Sequence, residues 1–396
     1  MIFGWSSFLR TGIFKEISSL FTSPTLRDYE AADKVGHFYT IDLLRGLAAI
    51  TTIIWHYQHF YGIMDGKNII QTQPFYNILY PIYHHGFWAV QAFWIISGFV
   101  FAHVYAGRTT TGLTFGVARL ARLYPLHLIT LLTIGAFQII SFKLVGHYQL
   151  VGSNGLIPFA ENLLFIAGWG LPGGGNFNGP IWSVSVEIAI YIFFFFIARF
   201  VLAFGIVIPA FIALVSWLFI NEQSPVNNFF VCAYCFFIGV SIYHITIVFR
   251  SRPLIMIVAN AMFVFIFVKL IYSGDYKNMR FFNVETFLFI PIIYVSSMFD
   301  LNRPRKIKKI RWIGDSTYSI YLWHFPIQVL VLIIISYYGI SSSIFNNVSA
   351  LVVWVVGMMA LSYASFLYLE KPAQKLVRRW CQNAARQPPR PQSATI

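Results

Sequence analysis

Apolar stretches of about 20 residues recur along this chain, and they constrain its fold more than any other feature. A bilayer core is about 30 Å thick, so a helix needs about 17–25 residues to cross it. A lipid-embedded backbone must also satisfy its own hydrogen bonds, which leaves the helix as the economical solution. Stretches of this kind lie near 41–62, 84–105, 123–142, 181–200, 202–220, 228–248, 253–272, 282–299, 316–338 and 347–369. With 58% hydrophobic and only 11% charged residues, the pattern predicts an all-α, polytopic membrane bundle of about ten transmembrane helices. A further apolar segment, 157–169, is short and reads as re-entrant or interfacial.

Charge supplies the orientation. The net charge of +14 resembles that of a nucleic-acid binder, but the basic residues cluster in short segments between apolar runs, as the positive-inside rule requires. With the N-terminus inside, ten spans place 22 of the 28 Lys and Arg on the inner side and 4 in outer loops. Reading 157–169 as a full span would turn the run Arg303–Arg311 outward. The prediction is therefore an integral, multi-pass protein of a bacterial cytoplasmic (inner) membrane with both ends cytoplasmic. Residues 1–37 form an N-terminal segment with a surface-helix pattern, 38–372 the membrane domain, and 373–396 a basic, disordered tail. Cys232 and Cys235 form a C-x-x-C inside an apolar run without a second ligand pair. They read as small packing residues, with no disulfide and no metal site.

Ionisable residues inside such helices are costly to bury and are functional candidates for that reason. Arg45 and His56 are eleven positions apart, about three turns plus 20°, so they share a helix face with a rise of about 16 Å. Arg45 then lies near the inner surface and His56 near the midplane, where an imidazole can take a proton. The alternative for His56 is a packing histidine bonded to a carbonyl, and His59 reads as interfacial. Ser97 and Gly98 allow close helix approach. Arg119 and Arg122 lie three apart at a helix start, suited either to a phosphate-rich ligand or to lipid headgroups. Pro180 opens the helix that carries Trp182, Ser183 and Glu187. Glu187, about 9 Å below the outer boundary, could orient an imidazole, bind a sugar hydroxyl or bridge a buried cation. His324 lies about 13 Å into its helix, and Pro326 frees a carbonyl there. Ser97, Trp182, Ser183 and His324 are candidate lining residues of one cavity. The loop GWGLPGGGNFNGP (168–180) reads either as a flexible connector or as a wall beside a substrate opening.

Taken together, IDLLRGLAAITTIIWH with Arg45 and His56, FWIISGF, ARLARLYPLH with Arg119 and Arg122, NGPIWSVSVE ending at Glu187, and STYSIYLWHFPI followed by LEKP resemble the acyltransferase-3 family of integral membrane acyltransferases. The resemblance covers 38 to about 372. It implies about ten transmembrane helices, an acyl-CoA donor, usually acetyl-CoA, and transfer to a hydroxyl of an extracytoplasmic glycan or other surface molecule. The chain ends before any fused esterase-like domain of the kind some members carry. In that reading His56 and Glu187 are catalytic, Arg45, Arg119 and Arg122 hold acyl-CoA, and no bound cofactor or metal is needed. The partners are acyl-CoA, the carbohydrate acceptor and membrane lipids, with nucleic acid excluded. A proton-coupled transporter is the rival reading of the same buried polar residues. Acceptor, acyl length, oligomeric state and the choice between an acyl-histidine intermediate and direct transfer stay open.

Overall fold

The structure, a computed structural model, describes residues 37–386 except 62–68, 106–107, 109, 152–153, 172–176, 251–252, 273–287 and 303–310. The surface helix expected within 1–35, the centre of the glycine loop, nearly all of the 303–311 cationic run and the chain beyond 386 lie outside the described residues. Regular structure among those described is entirely helical.

The first helix, α1 (Tyr39–Trp55), tightens into a 3-10 segment, His56–Tyr61. Helix α2 (Tyr76–His85) runs through a short 3-10 turn into α3 (Ala89–Tyr105). Then come the long α4 (Gly112–Val145), α5 (Leu156–Leu163), α6 (Ile181–Ala203), α7 (Val207–Leu218), α8 (Asn227–Val248) and α9 (Pro253–Tyr272). The chain closes with α10 (Ile290–Asn302), α11 (Arg311–Asp315), α12 (Thr317–Tyr338), α13 (Val348–Ser365), a π-turn Phe366–Glu370 and α14 (Lys371–Arg386). Helix α1 packs against α3, α10, α11 and α12, so the segment bearing Arg45 and His56 is surrounded by helices.

Six helical stretches among the described residues are long and apolar enough to cross a membrane: Tyr76–Tyr105, Gly112–Val145, Ile181–Val201, Asn227–Val248, Thr317–Tyr338 and Val348–Cys381. The pattern predicts a span at 202–220, but α7 has only 12 residues, about 18 Å of helix. Gly205, with φ of 59°, makes the turn that separates it from α6. Within 157–169, α5 has only 8 residues and does not cross. The tail differs as well: residues 371–386 are helical where the sequence predicts a disordered stretch from 373. Low hydropathy hides a helix whose charges sit on one side.

Close helix contact is concentrated where α3 crosses α8. A Cβ on Gly98 would lie 1.8 Å from the Phe236 carbonyl oxygen, and one on Gly239 1.8 Å from that of Ile95. The two glycines let the backbones touch reciprocally, as small residues do in membrane bundles. Cys232 and Cys235 are free and buried on the same helix. Gly98→Val forces a backbone-to-backbone collision, so it is expected to cost about 3 kcal/mol or more. Thermal unfolding in detergent reads this, and an unchanged midpoint would refute the close crossing.

Proline chemistry explains a second tie. Pro326 inside α12 removes the amide that would bond the Leu322 carbonyl four residues back. That carbonyl accepts instead from Asn178 Nδ2 at 3.2 Å. The residue anchoring the end of the glycine loop thus caps the gap opened by the proline.

Candidate active site

Arg45, Ser97, Arg119, Arg122, Ser183 and Glu187 line one cavity, together with Phe93, Trp94, Tyr191, Tyr318 and Tyr321. Four helices supply them: α1, α3, α4 and α6, with α12 closing one side. The cavity is about 90 Å³, room for several waters but not for a cofactor arm. A larger opening of about 670 Å³ lies between α1, α2, α3 and α10, but it is apolar and none of the candidate residues lines it.

Each cation has its own setting. Arg45 Nη1 donates to Asp42 Oδ1 at 3.3 Å, one turn earlier on α1, and Asp42 is also bonded to His37. The Arg119 guanidinium lies 4.8 Å above the Phe101 ring and 6.0 Å from that of Tyr191, a cation–π arrangement. Its Nε is buried with no hydrogen-bond partner. Arg122 and Arg45 are the cations acting on Glu187. Glu187 also sits beside the hydroxyls of Ser97 and Tyr191, which bond each other at 3.4 Å. Its Oε1 is buried and unpartnered. The site therefore holds guanidinium and carboxylate groups with unused hydrogen-bonding capacity, a condition that favours a polar ligand.

Glu187 does not face the arginines from the opposite side of the membrane, as its position in α6 predicts. It shares their cavity, where Arg119 lies 6.0 Å from the ring of Tyr191, one turn beyond Glu187. Nor does it contact His56.

His56 lies outside this cavity, in a histidine cluster of its own. Its ring centroid is 4.7 Å from that of His324 and 4.8 Å from that of His59. The switch from α to 3-10 geometry at His56 accounts for the second contact, since residues i and i+3 eclipse in a 3-10 helix. His59, read from the sequence as interfacial, is a member of this cluster. Gln328, fully buried, donates from Nε2 to the His56 carbonyl at 2.8 Å, and its Oε1 lies 3.3 Å from His59 Nδ1.

The tautomers follow from the partners. His56 Nδ1 lies 2.9 Å from the Thr52 carbonyl, which can only accept, so Nδ1 carries the hydrogen and Nε2 is left as the basic nitrogen. His324 repeats the arrangement, with Nδ1 3.2 Å from the Ile320 carbonyl and a buried, unpartnered Nε2.

Tyr321 joins the two regions. It lines the arginine cavity, its hydroxyl bonds Ser183 Oγ at 2.6 Å, and its ring is 5.9 Å from that of His324. Arg45 and His56, expected on one helix face, do not share the cavity: Arg45 lines it, His56 does not, and the mutually bonded Ser183 and Tyr321 are part of its wall. Of the four predicted lining residues, Ser97 and Ser183 line the cavity. Trp182 instead packs edge-on against Trp94 at 5.9 Å, and His324 belongs to the histidine cluster. Tyr191, Tyr321, Asp42 and Gln328 are neighbours that sequence reasoning passed over. Asp42 and Tyr191 were within reach of it, being one helical turn from Arg45 and Glu187. Tyr321 and Gln328 become visible only when α12 is set against α1 and α6.

The profile of the acyltransferase domain family matches residues 38–367. Acyltransferase MdmB of Streptomyces mycarofaciens is 39% identical over 112 residues, a match covering 27% of this chain and 27% of that protein. No solved structure matches the chain. The family match encloses all the residues of the arginine cavity and of the histidine cluster. The chain belongs to the acyltransferase-3 family, and six of its described helical stretches are long and apolar enough to cross a membrane.

Proposed function

We propose that this protein is an O-acyltransferase, most simply an O-acetyltransferase, taking its acyl group from cytoplasmic acyl-CoA. The acceptor is a hydroxyl of an extracytoplasmic glycan or other cell-surface molecule. The protein acts in a bacterial cytoplasmic membrane with both chain ends inside, an orientation supported by the distribution of Lys and Arg. The observation that carries the reading is the convergence of Arg45, Arg119 and Arg122 on one cavity that adjoins a histidine cluster through Tyr321.

In this reading the arginines pair with the donor's phosphates, since guanidinium groups suit bidentate phosphate recognition. The cavity is too small for the pantetheine arm, so the donor enters as the Tyr321–Ser183 pair parts and delivers its thioester toward His56. His56 Nε2 takes the proton of the acceptor hydroxyl. The hydroxyl oxygen attacks the thioester carbonyl, the C–S bond breaks, and the departing CoA sulfur takes the proton back from the imidazolium. Transfer through an acyl-imidazole uses the same nitrogen. Glu187 balances the arginine charge between turnovers.

Two measurements test this. Purified full-length protein in nanodiscs is expected to bind acetyl-CoA and to release free CoA thiol when the acceptor is present. Mass spectrometry of surface glycans from cells with and without the gene is expected to show one lost acyl mass. Proton-coupled uptake without thiol release would replace the reading with a transporter.

A further inference from the structure

Helix α14 is not accounted for by acyl transfer. The segment from Val348 to Arg386 is helical throughout, with the π-turn at Phe366–Glu370. Its 39 residues make about 58 Å of helix, roughly twice the hydrocarbon thickness. Glu370 marks the change: its carboxylate accepts from Ser319 Oγ at 2.7 Å and from Gln374 Nε2 at 3.0 Å. Beyond it, α14 leaves the bundle and packs along α4, the helix of Arg119 and Arg122.

The sides of α14 differ sharply. Ala373, Val377 and Cys381 are half-buried. Lys371, Lys375, Arg378 and Arg379 are all exposed and fall within an arc of about 100°. Lys375, Arg378 and Arg379 have no acidic partner among the described residues. Beside that arc stand Leu376 and Trp380, 69% and 73% exposed. A soluble anion would neutralise the arc and leave both apolar side chains in water. A bilayer surface serves both, since headgroups meet the cations while Leu and Trp enter the boundary region.

We infer that α14 is an interfacial helix that docks on an anionic lipid surface, with Lys375, Arg378 and Arg379 on the headgroups and Leu376 and Trp380 inserted beneath them. Each such charge strengthens attraction to an anionic leaflet, and three together make about a hundredfold difference in partitioning.

The test uses the full chain in nanodiscs, with Trp380→Cys carrying a spin label in a Cys381→Ser background. Cys232 and Cys235 are buried and stay unlabelled. In phosphatidylglycerol-containing nanodiscs the label is expected to show high oxygen and low nickel-chelate accessibility, the signature of insertion. In pure phosphatidylcholine, or with Lys375→Gln, Arg378→Gln and Arg379→Gln combined, it should move toward water. Native mass spectrometry of the combined variant should show fewer retained anionic lipids. A label that stays aqueous in anionic bilayers, or is indifferent to the three charges, overturns the proposal. So does dipolar coupling between labels on separate chains, which would mean that a second copy covers this face.

Discussion

Replacing His56 with alanine is expected to abolish acyl transfer, with a rate loss of at least about 10²–10⁴-fold, while the protein still inserts and folds. The imidazole's hydrogen bond stays within its own helix, from Nδ1 to the Thr52 carbonyl, its contact with His324 on α12 is ring packing, and the backbone at His56 is fastened independently by Gln328. Removing the ring therefore leaves the joint between α1 and α12 in place. Thiol release from acetyl-CoA and ester formation on the acceptor report the chemistry, and size-exclusion profiles report the fold. The neighbouring ring sharpens the experiment. His324 also presents a free Nε2 and is buried 4.7 Å away. Activity that survives His56→Ala but disappears in His324→Ala would move the base to His324. Survival in both would remove the cluster from the mechanism.

Removing Arg119 and Arg122 together is expected to weaken acyl-CoA binding by about a hundredfold or more. A hydrogen bond to a charged group contributes about 1.5–3 kcal/mol, and two guanidiniums are lost. Arg119 suits this use because aromatic faces hold it while its Nε has no partner. Lysine at either position restores charge without the planar fork, so recovery should be partial. Arg45 behaves differently. It is paired with Asp42, so Arg45→Ala leaves that largely buried carboxylate with His37 as its remaining partner and should cost stability as well as binding, less than the about 3–5 kcal/mol of a broken fully buried pair. Titration calorimetry with acetyl-CoA separates the two effects. Unchanged affinity in the double variant would leave Arg119 and Arg122 as anchors for lipid headgroups.

Much of this was legible along the chain. Apolar stretches announce membrane helices because hydrocarbon leaves few alternatives. Arg45, Arg119, Arg122 and Glu187 stand out because charge is rare there. Ser97 and Gly98 mark a close crossing because every other residue around them is bulky. The linear pattern fails where geometry departs from an ideal α-helix or where partners come from distant segments. His59 looks interfacial until α12 brings Gln328 beside it. Residues from 373 look unstructured because their charges lower the hydropathy that would reveal α14.

The sequence alone determined which side chains must be explained, because burying ionisable groups in a bilayer is costly wherever they fall. Only the tertiary structure decided their grouping. Glu187 joins the arginines, the histidines form a separate cluster, and Tyr321 stands between them. Those relations depend on how α1, α3, α4, α6 and α12 cross, and crossing is set by side-chain packing between helices that no single segment encodes.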